Sequence, residues 1–312
     1  MAGAIRVMVK TMRNLLIFGM GYTAQALATR LRAQGWTVRG TGSAGDIAFD
    51  DRAGVETALT EASHVLSSVP PARTGGDPVL DTYGEALRQW PGAWIGYLSS
   101  TGVYGDAGGA WVDEATPVGG GRRTARVEAD LGWQALGART RVFRLPGIYG
   151  PGRSALERVR DGLAHRIALP GQVFSRVHVE DIASGVIAAM AGPPGVYNLA
   201  DDLPTSQNAV IEEAARLLGV AQPPMQTLEE AQLSPMARAF YAENRRVANG
   251  RAKRLLGWAP AYPTYREGLR ALNATTSPAP TSADPAAART DHSEPSNSVD
   301  SSIATTGMIT LE

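Results

Sequence analysis

The sequence contains no cysteine and only four histidines among its 312 residues. A chain without cysteine has no disulfide framework, no thiol nucleophile and no thiolate metal site, and the histidines lack the spacing of metal ligands. Lysine plus arginine and aspartate plus glutamate each number 30, so no excess of positive charge marks a surface for nucleic acid or an acidic membrane. These absences predict a metal-free protein that binds neither nucleic acid nor membrane.

Long apolar runs are also missing. The run LLIF near the amino end stops at Gly19, far short of a signal-peptide core or a membrane span, which predicts a cytoplasmic protein. Residues 1–13 precede the first predicted strand and are expected to be an extension without a function. Residues 273–312 are rich in Ala, Ser, Thr and Pro and contain no aromatic residue, so we predict a disordered tail there.

What the chain does contain is an alternation of short β-rich runs and amphipathic stretches from residue 14 to residue 145. Such alternation is typical of βαβ units. It predicts an α/β protein with a Rossmann-like, doubly wound parallel sheet, to which helices from later segments return. Residues 146–272 mix loops, short strands and helices, including a strand at GVYNLA and helices over 205–219 and 245–270. We assign them to a smaller α/β substrate-binding lobe with closing helices.

The segment LLIFGMGYTAQALATRL matches the pattern G-x-G-x-x-A between a strand and a helix. Gly19 permits a tight turn, Gly21 lets a pyrophosphate approach the backbone, and Ala24 lets the helix pack closely on the strand. The amino end of the helix, with Tyr22 and Thr23, then attracts phosphate charge. The pattern predicts dinucleotide binding; the plainer alternative is an ordinary βα turn.

The end of the second strand bears on which dinucleotide binds. An NAD site usually offers an acidic side chain there, whereas Arg39, Thr41 and Ser43 are neutral or cationic. This favours NADP, with NAD as second choice if Asp46 reaches the ribose. After the third strand, Val69 and Pro70 are expected near the adenine and ribose, unless SSVPPARTGG is only a proline-rich turn.

The motifs YLSSTGVYG, RLPGIYGPGR, RVHVEDIA, VYNLADD and KRLLGWAPAYPTYREGL, following GMGYTA, carry a resemblance. Over residues 14–272 the chain resembles the extended short-chain dehydrogenase/reductase superfamily, of the NAD-dependent epimerase/dehydratase kind. Active members use a serine that matches Ser100 and a Y-x-x-x-K pair. The pair falls on Arg122 and Arg126, so the chain resembles an atypical branch that lacks it.

This departure leaves the proton carrier open. Arg126 can supply a positive charge near the nicotinamide ribose, but the guanidinium of Arg122 stays protonated and cannot exchange a proton. The candidate carriers are Ser100, Thr101, Tyr104, Tyr149, Glu128, His178 and Asp181. For the tyrosines the alternative is packing beneath the substrate loop, for His178 a structural hydrogen bond, and for Asp181 the preferred interpretation is the amino cap of a helix.

By the resemblance, the substrate cleft contains Ser100, Thr101 and His178 and is edged by Arg144, Arg153 and Arg176, at least one of which contacts substrate. Two functions follow. The first is an NAD(P)-dependent oxidoreductase or epimerase that acts on a nucleotide sugar or a similar polar carbonyl or alcohol. The second is a catalytically silent NAD(P)-binding sensor or scaffold. Either is expected to be a monomer or a homodimer.

Overall fold

The computed structural model describes residues 13–72, 74–120, 124–233 and 235–276. Residues 1–12 of the predicted extension, residues 277–312 of the predicted tail and Arg122 lie outside this part of the chain. The predicted tail starts too early, because residues 273–276 belong to the last helix.

Short strands recur along the whole described chain. They are, in chain order, β1 (Asn14–Phe18), β2 (Thr37–Gly40), β3 (His64–Ser67), β4 (Trp94–Ser100), β5 (Trp111–Val112), β6 (Thr140–Leu145), β7 (Gly147–Tyr149), β8 (Arg166–Ile167), β9 (Arg176–His178), β10 (Gly195–Asn198), β11 (Met225–Gln226) and β12 (Arg246–Val247). The helices are α1 (Tyr22–Ala33), α2 (Arg52–Glu61), α3 (Pro78–Gln89), α4 (Thr124–Gln134), α5 (Ala155–Arg160), α6 (Val179–Ala191), α7 (Gln207–Leu218), α8 (Pro235–Phe240), α9 (Gly250–Leu256) and α10 (Tyr265–Thr276). A 3-10 helix spans Thr101–Tyr104.

One sheet of six parallel strands forms the centre of the protein, in the order β10-β6-β4-β3-β1-β2. From β1 the chain goes to β2 on one side and to β3 on the other, so the strand order reverses between β1 and β3. Ligands of open α/β sheets bind at such a switch point, outside the carboxyl ends of the strands. The predicted Rossmann-like parallel sheet is confirmed.

Helices cover both faces of this sheet. On one face α1 and α6 pack on Ile17 and Trp94, and the indole of Trp94 donates a 3.0 Å hydrogen bond to the carbonyl of Ala189. On the other face lie α2, α3 and α4, where Trp133 stacks on Tyr97 with 5.1 Å between ring centroids. Because both faces are covered, the central strand β1 is a nearly continuous apolar run without polar alternation.

Smaller parallel pairs, β7 with β9, β8 with β11 and β5 with β12, lie outside the main sheet. A separate apolar cluster joins Tyr149, Leu156 of α5, Val210 of α7 and Leu269 of α10. These elements come from the segment predicted to be the substrate-binding lobe. The domain boundaries themselves stay a prediction.

Two details of the prediction are wrong. The strand at GVYNLA was assigned to the smaller lobe, but β10 pairs with β6 at the edge of the main sheet. The single helix expected over 245–270 is two helices, because α9 ends at Gly257, whose φ of 61° is left-handed. Pro260 and Pro263 then separate α9 from α10.

Candidate active site

The glycine loop after β1 is held from two neighbouring strands. The hydroxyl of Thr41 accepts a 3.1 Å hydrogen bond from the amide of Gly19, and the hydroxyl of Ser68 donates one of 2.5 Å to its carbonyl. Gly19 has a φ of +84°, and a Cβ there lies 2.8 Å from Cγ2 of Val69. Only glycine fits this position without strain.

Helix α1 starts directly after this loop, with its amino end uncovered. Its N-cap is Gly21, which has no side chain to accept from the backbone, and its first turn contains no acidic residue. Ala24 is fully buried against the sheet. The first amide groups of α1 are thus available to an anion, as the sequence pattern predicted.

At the end of β2 the side chains of Arg39 and Asp46 bond to each other. Arg39 donates from Nε to Oδ2 of Asp46 at 2.8 Å, and Oδ1 of Asp46 accepts from the amide of Gly40 at 2.8 Å. Thr41 is buried and supports the glycine loop, so it does not face a ligand, while Ser43 is exposed in the following turn. The carboxylate of Asp46, which would serve an NAD ribose, is therefore bonded to Arg39 and to the backbone.

A cleft of about 530 Å³ lies along the carboxyl edge of the sheet. The predicted residues that line it are Gly21, Tyr22, Thr23, Pro70, Ser100, Thr101, Arg126 and Arg153. The predicted residues outside its lining are Gly19, Ala24, Arg39, Thr41, Ser43, Val69, Tyr104, Tyr149, Arg144, Arg176 and His178. The structure thus brings the glycine loop, the end of β4 and α4 together around one space.

Ser100 is the last residue of β4. Its hydroxyl oxygen accepts a 3.1 Å hydrogen bond from the amide of Gly102, which leaves the O–H to donate into the cleft. Arg126 reaches the cleft from the first half of α4. Glu128 is exposed and does not line this space, so the structure gives it no place in the chemistry.

Tyr104 and Arg144 belong to a buried network and do not face the cleft. The Tyr104 hydroxyl donates to Oδ1 of Asn198 at 2.8 Å and accepts from Arg144 at 3.1 Å. Arg144 binds Asp130 through Nε at 3.1 Å and Nη2 at 2.8 Å, and Asp130 also accepts from Ser99. Catalysis by Tyr104 and substrate binding by Arg144 are therefore corrected to structural roles.

Tyr149 and His178 are buried as well. A Cβ on Gly268 of α10 lies 2.1 Å from the Tyr149 hydroxyl, so the ring packs beneath that helix. Burial raises the pKa of Tyr149 far above its usual range and lowers that of His178 to about 4. Nδ1 of His178 accepts from the amide of Glu180 as the N-cap of α6. Neither side chain is placed for proton transfer in the cleft.

Asp181 is not the amino cap that its sequence context indicates, because His178 takes that position. Its carboxylate instead accepts from the amides of Ala261 and Tyr262, at 2.6 and 3.1 Å. Burial raises the pKa of Asp181. Through these two bonds Asp181 connects helix α6 to the segment between α9 and α10.

Arg176 lines a second cavity of about 780 Å³, which adjoins the cleft along Gly147, Phe174 and Phe240. Its Nη1 has no hydrogen-bond partner within the described residues, and burial lowers its pKa. The nearby carboxyl of Asp201 has its pKa raised to about 7 by burial, with Arg176 opposing the rise. Arg176 is thus a buried cation behind the cleft.

Sequence reasoning missed the pair Glu243 and Arg245, which line the cleft from the segment before β12. Nη1 of Arg245 donates to Glu243 at 2.7 Å and to the carbonyl of Gly105 at 2.6 Å. Arg246 does not line the cleft and donates to the carbonyl of Gly109, while the side chain of Asn244 bonds the backbone of Gly171 and Val173. In an extended segment alternate side chains point to opposite sides, so the sequence ENRRV could have predicted that Glu243 and Arg245 lie on one side.

Within the described residues no helix is long and apolar enough to cross a membrane, and no group of three or more His, Asp or Glu side chains could hold a metal ion.

Comparison with known proteins gives relatives over most of the chain, although no protein-family model matches it. A solved structure of a functionally unknown conserved protein from Silicibacter pomeroyi is 45% identical, with a TM-score of 0.76 over 84% of this chain and 98% of that one. Protein YeeZ of Escherichia coli is 28% identical over 247 residues, which are 68% of this chain and 86% of YeeZ. The human epimerase family protein SDR39U1, solved with NADPH, is 19% identical with a TM-score of 0.69, over 84% and 99% of the two chains.

The fold defines a doubly wound α/β protein with an open glycine loop and a second lobe across its cleft. More narrowly, the chain belongs to the same family as the conserved Silicibacter pomeroyi protein. It shares its fold with solved proteins described as epimerases and dehydratases, among them a UDP-glucose 4-epimerase from Thermus thermophilus and a dTDP-glucose 4,6-dehydratase from Bacillus anthracis.

Proposed function

We propose that this protein is an NAD(P)-dependent oxidoreductase or epimerase of the extended short-chain type. The observation that carries the proposal is the shared cleft: the uncapped start of α1 and the free O–H of Ser100 line the same space. The first amides of α1 would hold the pyrophosphate of a dinucleotide. The nicotinamide supplies hydride transfer to or from a substrate carbon.

The residues of this chain would bind and orient the reactants. Ser100 donates a hydrogen bond to the substrate oxygen, and Arg126 provides positive charge near the ribose. Glu243 and Arg245 offer an acceptor and donors to further polar groups of the substrate. The substrate class we propose is a small polar carbonyl or alcohol, of which a nucleotide sugar is one example.

We propose NADP as the preferred cofactor and NAD as the second choice. The support is the pairing of Asp46 with Arg39 and with the amide of Gly40, which leaves fewer of its acceptor sites for ribose hydroxyls. The human relative solved with NADPH is consistent with this preference. A cytoplasmic location and a monomeric or homodimeric state remain proposals from the sequence.

The test is a thermal-shift titration with NADPH, NADP, NADH and NAD at equal concentrations. A nucleotide at a hundred times its dissociation constant stabilises the native state by about 2.7 kcal/mol, which is readily visible in the melting temperature. We expect the largest shifts with the phosphorylated pair. No shift with any of the four contradicts the proposal.

Turnover is tested next, with a panel of carbonyl and alcohol substrates and with Ser100→Ala. We expect this variant to lose turnover while it keeps the nucleotide-induced thermal shift, because Ser100 contacts substrate and not the pyrophosphate. A fully active Ser100→Ala protein contradicts the role given to this residue.

A silent nucleotide sensor is the second candidate function. It is favoured by the burial of Tyr104 and Tyr149, since neither hydroxyl reaches the cleft. A sensor binds the nucleotides but shows no change in reduced-nicotinamide absorbance with any substrate. Turnover of nicotinamide in excess over the protein eliminates this candidate.

A further inference from the structure

The start of α1 is in contact with an arginine from the other lobe. The guanidinium carbon of Arg153 lies over the ring of Tyr22, 5.7 Å from its centroid, and both residues line the cleft. The Tyr22 hydroxyl donates a 3.1 Å hydrogen bond to the carbonyl of Pro151. One tyrosine therefore connects the glycine loop to the turn that carries Arg153.

This turn is shaped to receive Tyr22. The amides of Gly150 and Arg153 each donate to the other's carbonyl, at 3.2 and 3.0 Å. A Cβ on Gly150 lies 2.5 Å from the Tyr22 hydroxyl and 2.7 Å from Cγ1 of Val179. Only glycine at position 150 leaves room for the contact, so the turn and the tyrosine fit as a unit.

The charges around the contact favour an anion. The amino end of a helix carries partial positive charge, which repels a nearby cation. The first turn of α1 has no acidic residue, and Arg153 forms no ion pair within the described residues. The nearby carboxylate of Glu157 is bound by the amide and hydroxyl of Ser154. Two positive features thus face one space, and an anion there relieves both.

We propose that Arg153 is a ligand of the cofactor pyrophosphate, held in place by Tyr22. This rests on the proposed nucleotide-dependent function and moves Arg153 from the substrate side, where the sequence resemblance put it, to the cofactor. The guanidinium fork suits phosphate oxygens, and the aromatic ring restricts its rotamers before the ligand arrives. Arg153 then links the bound cofactor to both lobes through one side chain.

The experiment measures dissociation constants of NADPH and NADH by titration calorimetry on the full chain. The variants are Arg153→Ala and Tyr22→Phe, with Arg160→Ala as the matched control. Arg160 is exposed on α5 of the same lobe and does not line the cleft. Arg160→Ala therefore removes one positive charge, as Arg153→Ala does, but outside the cleft.

Arg153→Ala is expected to weaken both nucleotides by about tenfold and by the same factor, because both contain the pyrophosphate. The loss should shrink as salt concentration rises. Tyr22→Phe keeps the ring beneath the guanidinium but loses the bond to Pro151, so a loss of about two- to threefold is expected. Arg160→Ala should stay within twofold of the wild type.

A loss confined to NADPH overturns the proposal, because it assigns Arg153 to the 2′-phosphate. Unchanged affinity in Arg153→Ala, with the wild type binding normally, overturns it too. If the wild type binds neither nucleotide, the proposed function itself fails. The melting temperature of the ligand-free variant is a further readout: we expect no decrease, whereas a large decrease with unaltered affinity shows a packing role only.

Discussion

Replacing Asp130 by asparagine tests the structural role given to Arg144. Asp130 is fully buried and binds Arg144 through two hydrogen bonds, and the Arg144 side chain is only 4% exposed. Asparagine has the same size but no charge, so the guanidinium is left as an uncompensated buried cation. Breaking a buried pair in this way lowers the free energy of unfolding by about 3–5 kcal/mol.

The assay is urea denaturation, with thermal unfolding as a second probe, for which we expect a decrease of roughly 10 °C. Glu85→Gln is the matched control. It removes a carboxylate from the exposed pair of Glu85 with Arg88, and it should change stability by less than about 0.5 kcal/mol.

The reasoning fails if Asp130→Asn costs less than about 1 kcal/mol, because the pair then carries little of the folding energy. A second variant separates the causes. Arg144→Met in the Asp130→Asn background removes the stranded cation and should recover part of the lost stability. Nucleotide-induced thermal shifts should persist in both proteins, since neither residue lines the cleft.

Three further results are expected. Gly19→Ala places a Cβ 2.8 Å from Val69 at a left-handed φ. It should therefore lower the free energy of unfolding by about 1–3 kcal/mol and abolish the thermal shift with NADPH. If the variant still binds NADPH, the glycine loop is not the cofactor site. Tyr149→Phe removes a buried hydroxyl with no partner in the described residues, so stability and any turnover should be unchanged, and loss of turnover restores Tyr149 as a catalyst. His178 has a folded-state pKa of about 4 against 6.5 when unfolded, so proton uptake favours unfolding as pH falls below 6.5. His178→Asn keeps the cap, and by pH 5 the wild type should lose about 2 kcal/mol relative to it in urea titrations. Parallel pH profiles of the two proteins contradict this.

The sequence predicted the main sheet well because each strand is a short apolar run bounded by turn residues. β1 starts at Asn14 as expected, and Gly19 and Gly21 are placed as the pattern requires. The prediction assigned the edge strand β10 to the smaller lobe, because the residues GVYNLA alone do not indicate that this strand pairs with β6. Local pattern predicts that a strand forms, whereas its sheet depends on residues far away in the chain.

The candidate site was harder to predict for the same reason. Tyr104 and Arg144 stand at strand ends, where ligands usually bind, but their orientation is set by Asn198 and Asp130, which come from other elements. Conversely, Glu243 reaches the cleft from the segment that precedes β12, more than a hundred residues after the β4 edge that it faces. Side-chain direction at an active site depends on such distant partners, which a single sequence does not display.

The position of β10 governs what a fragment of this protein can do. The chain leaves the main sheet after β6, passes through β7 to β9, and returns by α6 to add the sixth strand. A truncated chain that stops at residue 145 therefore leaves one edge of β6 unpaired and removes α6 from one face of the sheet. Such an open apolar edge promotes aggregation. The half of the chain that contains the glycine loop therefore cannot be isolated by a single cut, and functional work requires the chain through α10.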